Sequence, residues 1–179
     1  MKHTLEHSRK RTDINEHLTS LYFITLQMSA KLVVELGVRS GESTVAFLEG
    51  VNRTDGRVVS VDIEECPKAR EMVERYGLGG RWTFVRSDDI EFGKGWDRSR
   101  KVDIVFVDTS HLYEHTKREI EVFEPIVRPG GVLIFHDTTT HPEGVMKPIQ
   151  EFLKGHPGYG FENASYNSGM GVILKPRVP

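Results

Sequence analysis

The chain has 179 residues, with 24 Lys+Arg against 26 Asp+Glu, a formal net charge of −2. That length fits one domain, expected over residues 1–179, and leaves no room for a second catalytic domain of ordinary size. The charge balance lacks the basic excess of a nucleic-acid binder, Arg9-Lys10-Arg11 being the strongest run, and the single cysteine, Cys66, excludes a disulfide framework or a Cys-rich zinc site and points to a reducing cytoplasm.

In chain order, Leu18 to Ala30 is the first apolar stretch, and basic residues precede it as in a signal peptide. Thr19, Ser20, Thr25, Gln27 and Ser29 interrupt it, and Asp13 and Glu16 stand where a signal peptide is positive. It therefore reads as part of an amphipathic helix over about 13–29, a cap over residues 1–30 on a core of 31–175. No stretch is long and apolar enough to span a bilayer, so neither export nor a membrane is expected. Strands rich in β-branched residues follow at Leu32–Leu36, Val58–Asp62, Val102–Asp108 and Gly131–Asp137, with little apolar–polar alternation. Such runs are covered by helices on both sheet faces. Trp82–Arg86 alternates more and suits an edge or near-edge strand. Helices are expected at Glu42–Val51, Pro67–Tyr76, Leu112–Val127 and Glu143–Lys154, closed by Gly or Pro-Gly signals. Two further strands, near Gly158–Asn163 and Met170–Lys175, flank a polar turn and form a hairpin. Alternation of this kind gives an α/β fold: a Rossmann-like, doubly wound sheet, mostly parallel, ending in an antiparallel hairpin.

Open α/β sheets bind ligands beyond the carboxyl ends of their strands. Polar residues gather there: Glu35 and Gly37-Val38-Arg39-Ser40-Gly41 after the first strand, Asp62 after the second, Ser87-Asp88-Asp89 after the third. Asp108 and His136-Asp137 end the next two. A dinucleotide fingerprint needs Gly where Arg39 stands, so a ligand without phosphates fits better. S-adenosylmethionine, with a sulfonium, an ammonium and one carboxylate, tolerates the acids, and Asp62 is placed to accept from both ribose hydroxyls. Glu35 and the glycines also fit a plain strand exit and turn.

Glu35-Leu-Gly37-Val-Arg-Ser-Gly41-Glu-Ser43-Thr44, Val61-Asp62, Val107-Asp108-Thr-Ser-His111 and Arg128-Pro-Gly130-Gly131 with His136-Asp137 together resemble the class I S-adenosylmethionine-dependent methyltransferases. Within that class the chain is similar to the small bacterial O-methyltransferases, the catechol, macrolide-sugar and cephalosporin-hydroxylase-like group, over roughly residues 30 to 175. The resemblance implies that Glu35, Gly37, Gly41 and Ser43 surround the methionine part, with Ser43 on its carboxylate. It implies Asp62 on the ribose, Ile63 against adenine, Asp88 facing the adenine amino group, and Asp108 at the same cofactor site. Metal-dependent members place a divalent cation at the positions of Asp108 and Asp137, which suits Mg²⁺. His136 stands beside Asp137 where an acid or amide is usual, and would add a nitrogen ligand that favours Mn²⁺ or Fe²⁺. His111, three residues after Asp108, matches the family's base, and imidazole suits proton removal near neutrality.

Plainer readings stand beside these: Asp108 and Asp137 as helix or loop caps, His111 as a polar first-turn residue. His3, His7, His17, His115, His141 and His156 show no ligand spacing with one another and are expected mostly on the solvated surface. His17 and Tyr22 could close over a substrate or pack in the core. The element of nucleic-acid amino methyltransferases, Asn/Asp-Pro-Pro-Tyr/Phe, is replaced by Asp108-Thr109-Ser110-His111, so no nucleic-acid partner is expected. The reading is O-methylation of a small-molecule hydroxyl with His111 and Asp108 catalytic; relatives suggest a homodimer. Two other classes remain open. One is an iron-dependent hydroxylase using His136, Asp137 and Asp108, the other a non-catalytic cofactor-binding module.

Overall fold

The β-branched runs pair into one sheet in the computed structural model, which describes residues 1–177. The strands are β1 (Leu32–Leu36), β2 (Arg57–Asp62), β3 (Trp82–Arg86), β4 (Val102–Val107), β5 (Val127–His136), β6 (Gly160–Ala164) and β7 (Met170–Leu174). The helices are α1 (Lys2–Ser8), α2 (Leu18–Gln27), α3 (Glu42–Thr54), α4 (Pro67–Arg75), α5 (Asp89–Lys94), α6 (Tyr113–Phe123) and α7 (Lys147–Gly155). The sheet order is β3-β2-β1-β4-β5-β7-β6. Neighbours run parallel except β7, which is antiparallel to β5 and β6. This is the expected doubly wound, mostly parallel architecture with its terminal hairpin.

Successive strand residues point to opposite faces, which splits the core into two layers. Leu32, Val34 and Leu36 of β1 pack with Ile120, Phe123 and Ile149 of α6 and α7. Val33 joins Leu18, Leu21, Phe47, Val51 and Val73 of α2, α3 and α4 on the other side. The amino edge of the sheet is tied across three strands by one carboxylate. Asp103 Oδ2 accepts from the Lys31 and Leu32 N–H groups at 2.8 and 2.9 Å, and Oδ1 accepts from Arg128 Nε at the start of β5.

Several elements differ from expectation. Helix α1 lies outside the anticipated N-terminal helix, and the latter is observed as a 3-10 turn, Asn15–His17, leading into α2. No side chain caps α1 locally; Glu49 of α3 does so from across the fold, accepting from the N–H groups of His3 and Thr4 and from Thr4 Oγ1 at 2.6–3.1 Å. Helix α5 was also unanticipated, and Asp88 caps it by accepting from Glu91 N. Helix α6 stops at Phe123, because Pro125 cannot donate to a continuing α-helix. A 3-10 turn, Glu124–Ile126, follows, and β5 already begins at Val127, a residue read as helical. The Pro129-Gly130-Gly131 stretch therefore lies inside β5, where its pairing with β4 is irregular between Val102 and Ile104. The expected Glu143–Lys154 helix is a π-helical turn, Pro142–Met146, running into α7.

Candidate active site

β1 and β4 are neighbours whose connections leave in opposite directions, so a crevice opens beyond their carboxyl ends. The chain exits β1 through Gly37, whose φ is +84°. A Cβ on Gly37 would lie 2.0 Å from the Asp108 carbonyl oxygen, so only glycine lets the two strand exits meet. Asp62, ending β2, fixes the rest of this loop. Its Oδ2 accepts from Val38 N and Arg39 N at 2.8 and 3.2 Å, and its Oδ1 from Glu64 N at 2.8 Å. Burial works against its charge, but these N–H groups hold the carboxyl below the usual aspartate range.

These elements wall a cavity of about 330 Å³ lined by Gly37, Arg39, Val61, Asp62, Ile63, Ser87, Asp88, Asp89, Asp108, Thr109, Ser110 and His115. Gly37, Asp62, Ile63, Asp88 and Asp108 are thus brought together as the sequence suggested. Glu35, Gly41 and Ser43 do not line this cavity. Residue 35 is still inside the sheet, where the pleat turns its side chain under α3. Its carboxyl is fully buried and accepts from Ser43, Thr44 and Ser60 hydroxyls. Burial pushes it up to about 7, the three hydroxyls partly opposing. Ser43 spends its hydroxyl on Glu35, and Gly41 is needed against α4, where a Cβ would lie 2.7 Å from Ala69 Cβ.

Next to the cavity stands a group of alternating charge. His136 Nδ1 lies 3.3 Å from Asp108 Oδ1 and 3.2 Å from Asp137 Oδ2, while its Nε2 donates to the Asp13 carbonyl at 3.1 Å. Burial alone would strip the ring of its proton, but Asp108 and Asp137 outweigh it and raise the pKa to about 10. The two carboxyls are correspondingly held below the aspartate range despite their own burial. His111 Nε2 is 2.8 Å from Asp137 Oδ2, although its ring N–H does not point along that line. Asp108 is the main reason His111 binds its proton more tightly than a free imidazole; burial opposes, and Asp137 adds to it. Asp137 itself has a φ of +62°, a left-handed conformation costing of order 1–3 kcal/mol in a non-glycine residue.

The donor atoms of Asp108, His136 and Asp137 lie within 4.8 Å of one another. An imidazole whose far nitrogen donates to a backbone carbonyl is oriented as metal-ligating histidines are. The set therefore fits a divalent ion, and one nitrogen among two oxygens favours Mn²⁺ or Fe²⁺ over Mg²⁺, provided His136 gives up its Nδ1 proton.

The N-terminal segment closes one side. Asp13 supplies the carbonyl for His136 and pairs with Arg39 at 2.7 Å. His17 is fully buried, in the core position read for it beside the substrate-closing one and not on the solvated surface. Its Nε2 donates to the Tyr166 and Asn167 carbonyls at 3.0 Å, and its ring meets His136 edge-on. His7 is buried too, on Tyr76, while His115 and His141 each join acidic side chains. Tyr22, on α2, is buried as well. Arg39, Asp89 and His115 also line the cavity. Arg39 and Asp89 stand in the polar stretches read beyond the strand ends but carry no assigned role there; His115 is expected on the surface, and its sequence neighbours give no sign of Asp89 facing it from another element.

A family model described as a methyltransferase domain matches residues 34–138, more than half of the chain. The chain belongs to this methyltransferase-domain family. Among solved structures, a Klebsiella pneumoniae protein provisionally described as an O-methyltransferase superposes with a TM-score of 0.80 at 14% identity, over 98% of this chain and 87% of that one. TomG of Streptomyces achromogenes, an O-methyltransferase of tomaymycin synthesis in complex with S-adenosylmethionine, gives 0.74 at 16%, covering 98% and 90%. The Bacillus cereus O-methyltransferase in complex with S-adenosylhomocysteine gives 0.73 at 18%, covering 97% and 89%. At these identities the likeness shows the fold, that of class I methyltransferases. An uncharacterized Sinorhizobium fredii protein, y4gI, is 32% identical over 97 residues, which are 52% of this methyltransferase-domain chain and 10% of that protein. The chain thus spans about a tenth of that relative's length.

Proposed function

We propose that the chain transfers the methyl group of S-adenosylmethionine to a hydroxyl of a small molecule. The observation that carries this reading is the convergence of Gly37, Asp62, Ile63, Asp88 and Asp108 on one cavity, with His111 and Asp137 at its side. Asp62 accepts from the ribose hydroxyls while its backbone bonds keep it ionised and fixed. Ile63, 65% exposed, covers the adenine, and Asp88 faces the adenine amino group. Glu35 and Ser43 act from beneath the loop, holding its shape.

His111 takes the proton from the acceptor hydroxyl. The oxygen attacks the methyl carbon in line with sulfur; the new O–C bond forms as the S–C bond breaks, leaving S-adenosylhomocysteine and a protonated His111. Asp108 and Asp137 stabilise that imidazolium. Asp108, His136 and Asp137 would hold a divalent ion, which when bound lowers the pKa of a coordinated hydroxyl. Much of the rate enhancement comes from holding oxygen and methyl carbon in attack geometry.

Asp62→Ala is expected to weaken S-adenosylhomocysteine binding about tenfold or more, each lost hydrogen bond to a charged group being worth about 1.5–3 kcal/mol. His111→Ala should leave that affinity intact and slow turnover about 10²–10⁴-fold. Calorimetry combined with a methyl-transfer assay over a panel of phenols, catechols and sugars tests both. Wild-type affinity in Asp62→Ala, or wild-type turnover in His111→Ala, contradicts the assignment. Activity that survives complete chelation removes the metal from the mechanism.

A further inference from the structure

A second cluster adjoins the cavity wall, formed by residues other than Asp108, His136 and Asp137. His115 and Glu119 sit one turn apart on α6 and face Asp89, the first residue of α5. His115 Nε2 is 3.0 Å from Asp89 Oδ2 and 3.7 Å from Glu119 Oε1. The donor atoms of all three lie within 4.8 Å of one another. Glu119 is fully buried, and Asp89 nearly so. Thr109 Oγ1 donates to Glu119 Oε1, but Glu119 Oε2 has no hydrogen-bond partner and no access to water.

Two facing carboxyls and an imidazole need a positive charge or a proton between them, because unpaired buried carboxylates are strongly disfavoured. Among the described residues no lysine or arginine pairs with Asp89 or Glu119; the His115 imidazole is the basic side chain that meets them. Ligands about 2.1 Å from a tetrahedral zinc stand about 3.4 Å apart; His115 Nε2 and Asp89 Oδ2, at 3.0 Å, are near that spacing, and the Glu119 carboxylate adjoins them, its Oε1 3.7 Å from His115 Nε2 and its Oε2 unpartnered. The position four residues apart on one helix face presents His115 and Glu119 side by side, and Asp89 and His115 also line the cavity, leaving an open side toward it.

We propose that Asp89, His115 and Glu119 bind a divalent transition metal ion, of the Zn²⁺ or Mn²⁺ class, at a site separate from Asp108, His136 and Asp137. The mixed nitrogen and oxygen donors select this class over Ca²⁺ or Mg²⁺. The orphaned Glu119 oxygen is its third ligand, and Thr109 orients that carboxylate from behind. The site does not depend on the methyl-transfer reading, since it requires neither donor nor acceptor.

The full chain is stripped with a chelator, dialysed, and titrated with Mn²⁺ alone, free ion being followed by electron paramagnetic resonance; bound Zn²⁺ is counted separately by mass spectrometry. Wild type should bind an ion that Glu119→Gln and His115→Ala each hold about tenfold or more weakly, and that Asp137→Asn retains. Unchanged binding in both of the first two variants overturns the site, as does a wild type that binds no ion or an Asp137→Asn protein that loses all of it. The carboxyls would then share a proton instead. Circular dichroism checks the fold of each variant. Because the His115 side chain is 26% exposed, that variant keeps the test open if the buried Glu119→Gln fails to fold.

Discussion

Glu35 shows how one side chain can be read correctly in type and wrongly in place. An acid two residues before a glycine at a strand end suggests a ligand contact, but the periodicity of a strand does not say where the sheet stops. β1 runs on to Leu36, so Glu35 remains between the sheet and α3, among three hydroxyls. Asp62 and Asp108, by contrast, were legible because each directly ends its apolar run. The burial of Glu35 has a pH signature. Its folded pKa of about 7 lies above its ordinary 4.5, so the native state binds this proton more tightly than the unfolded chain. Stability from this group is present below about pH 4.5 and declines as pH rises to about 7. Glu35→Gln cannot titrate. The stability of wild type relative to Glu35→Gln should therefore fall by up to roughly 3 kcal/mol between pH 5 and 8, measured by urea unfolding. A difference that stays flat across that range would refute it.

The elements that escaped the sequence are the short ones. α1 and α5 have seven and six residues, too few for a hydrophobic period to emerge, and isolated helices of such length are marginal. α1 in addition takes its cap from Glu49, some 45 residues away. The longer β-branched runs needed no such help, which is why each strand was readable, the start of β5 apart, while the helix boundaries were not. Glu49→Ala should therefore release α1 rather than unfold the core. Hydrogen exchange at residues 2–8 should accelerate while β1 and β4 stay protected, with a loss of about 2 kcal/mol for the bonds to the carboxylate. Burial acts against the Glu49 charge, but Thr4, the chain's amino group and His3 together hold its pKa below normal. The docking it provides is thus present above the ordinary glutamate range and lost as pH falls through the lowered pKa. Unchanged exchange in Glu49→Ala would show that apolar contacts alone hold α1.

For the molecule as a whole, two tryptophans report on the two core layers. Trp82 packs with the α1–α4 side and Trp96 with the α5–α7 side. We propose one cooperative domain, because the same strands contribute to both layers. Single-tryptophan proteins made by Trp82→Phe and Trp96→Phe should then each lose fluorescence at the same denaturant concentration as they lose circular dichroism. Separated midpoints would reveal two units. No helix among the described residues is long and apolar enough to cross a membrane. The Asp103–Arg128 clamp bears on how this architecture can change. It ties three strands together at the end remote from the cavity, across the irregular stretch of β4–β5 pairing. The scaffold is thus held from its amino edge by side-chain ties that use none of the residues lining the cavity, which leaves the loops at the carboxyl edge free to differ.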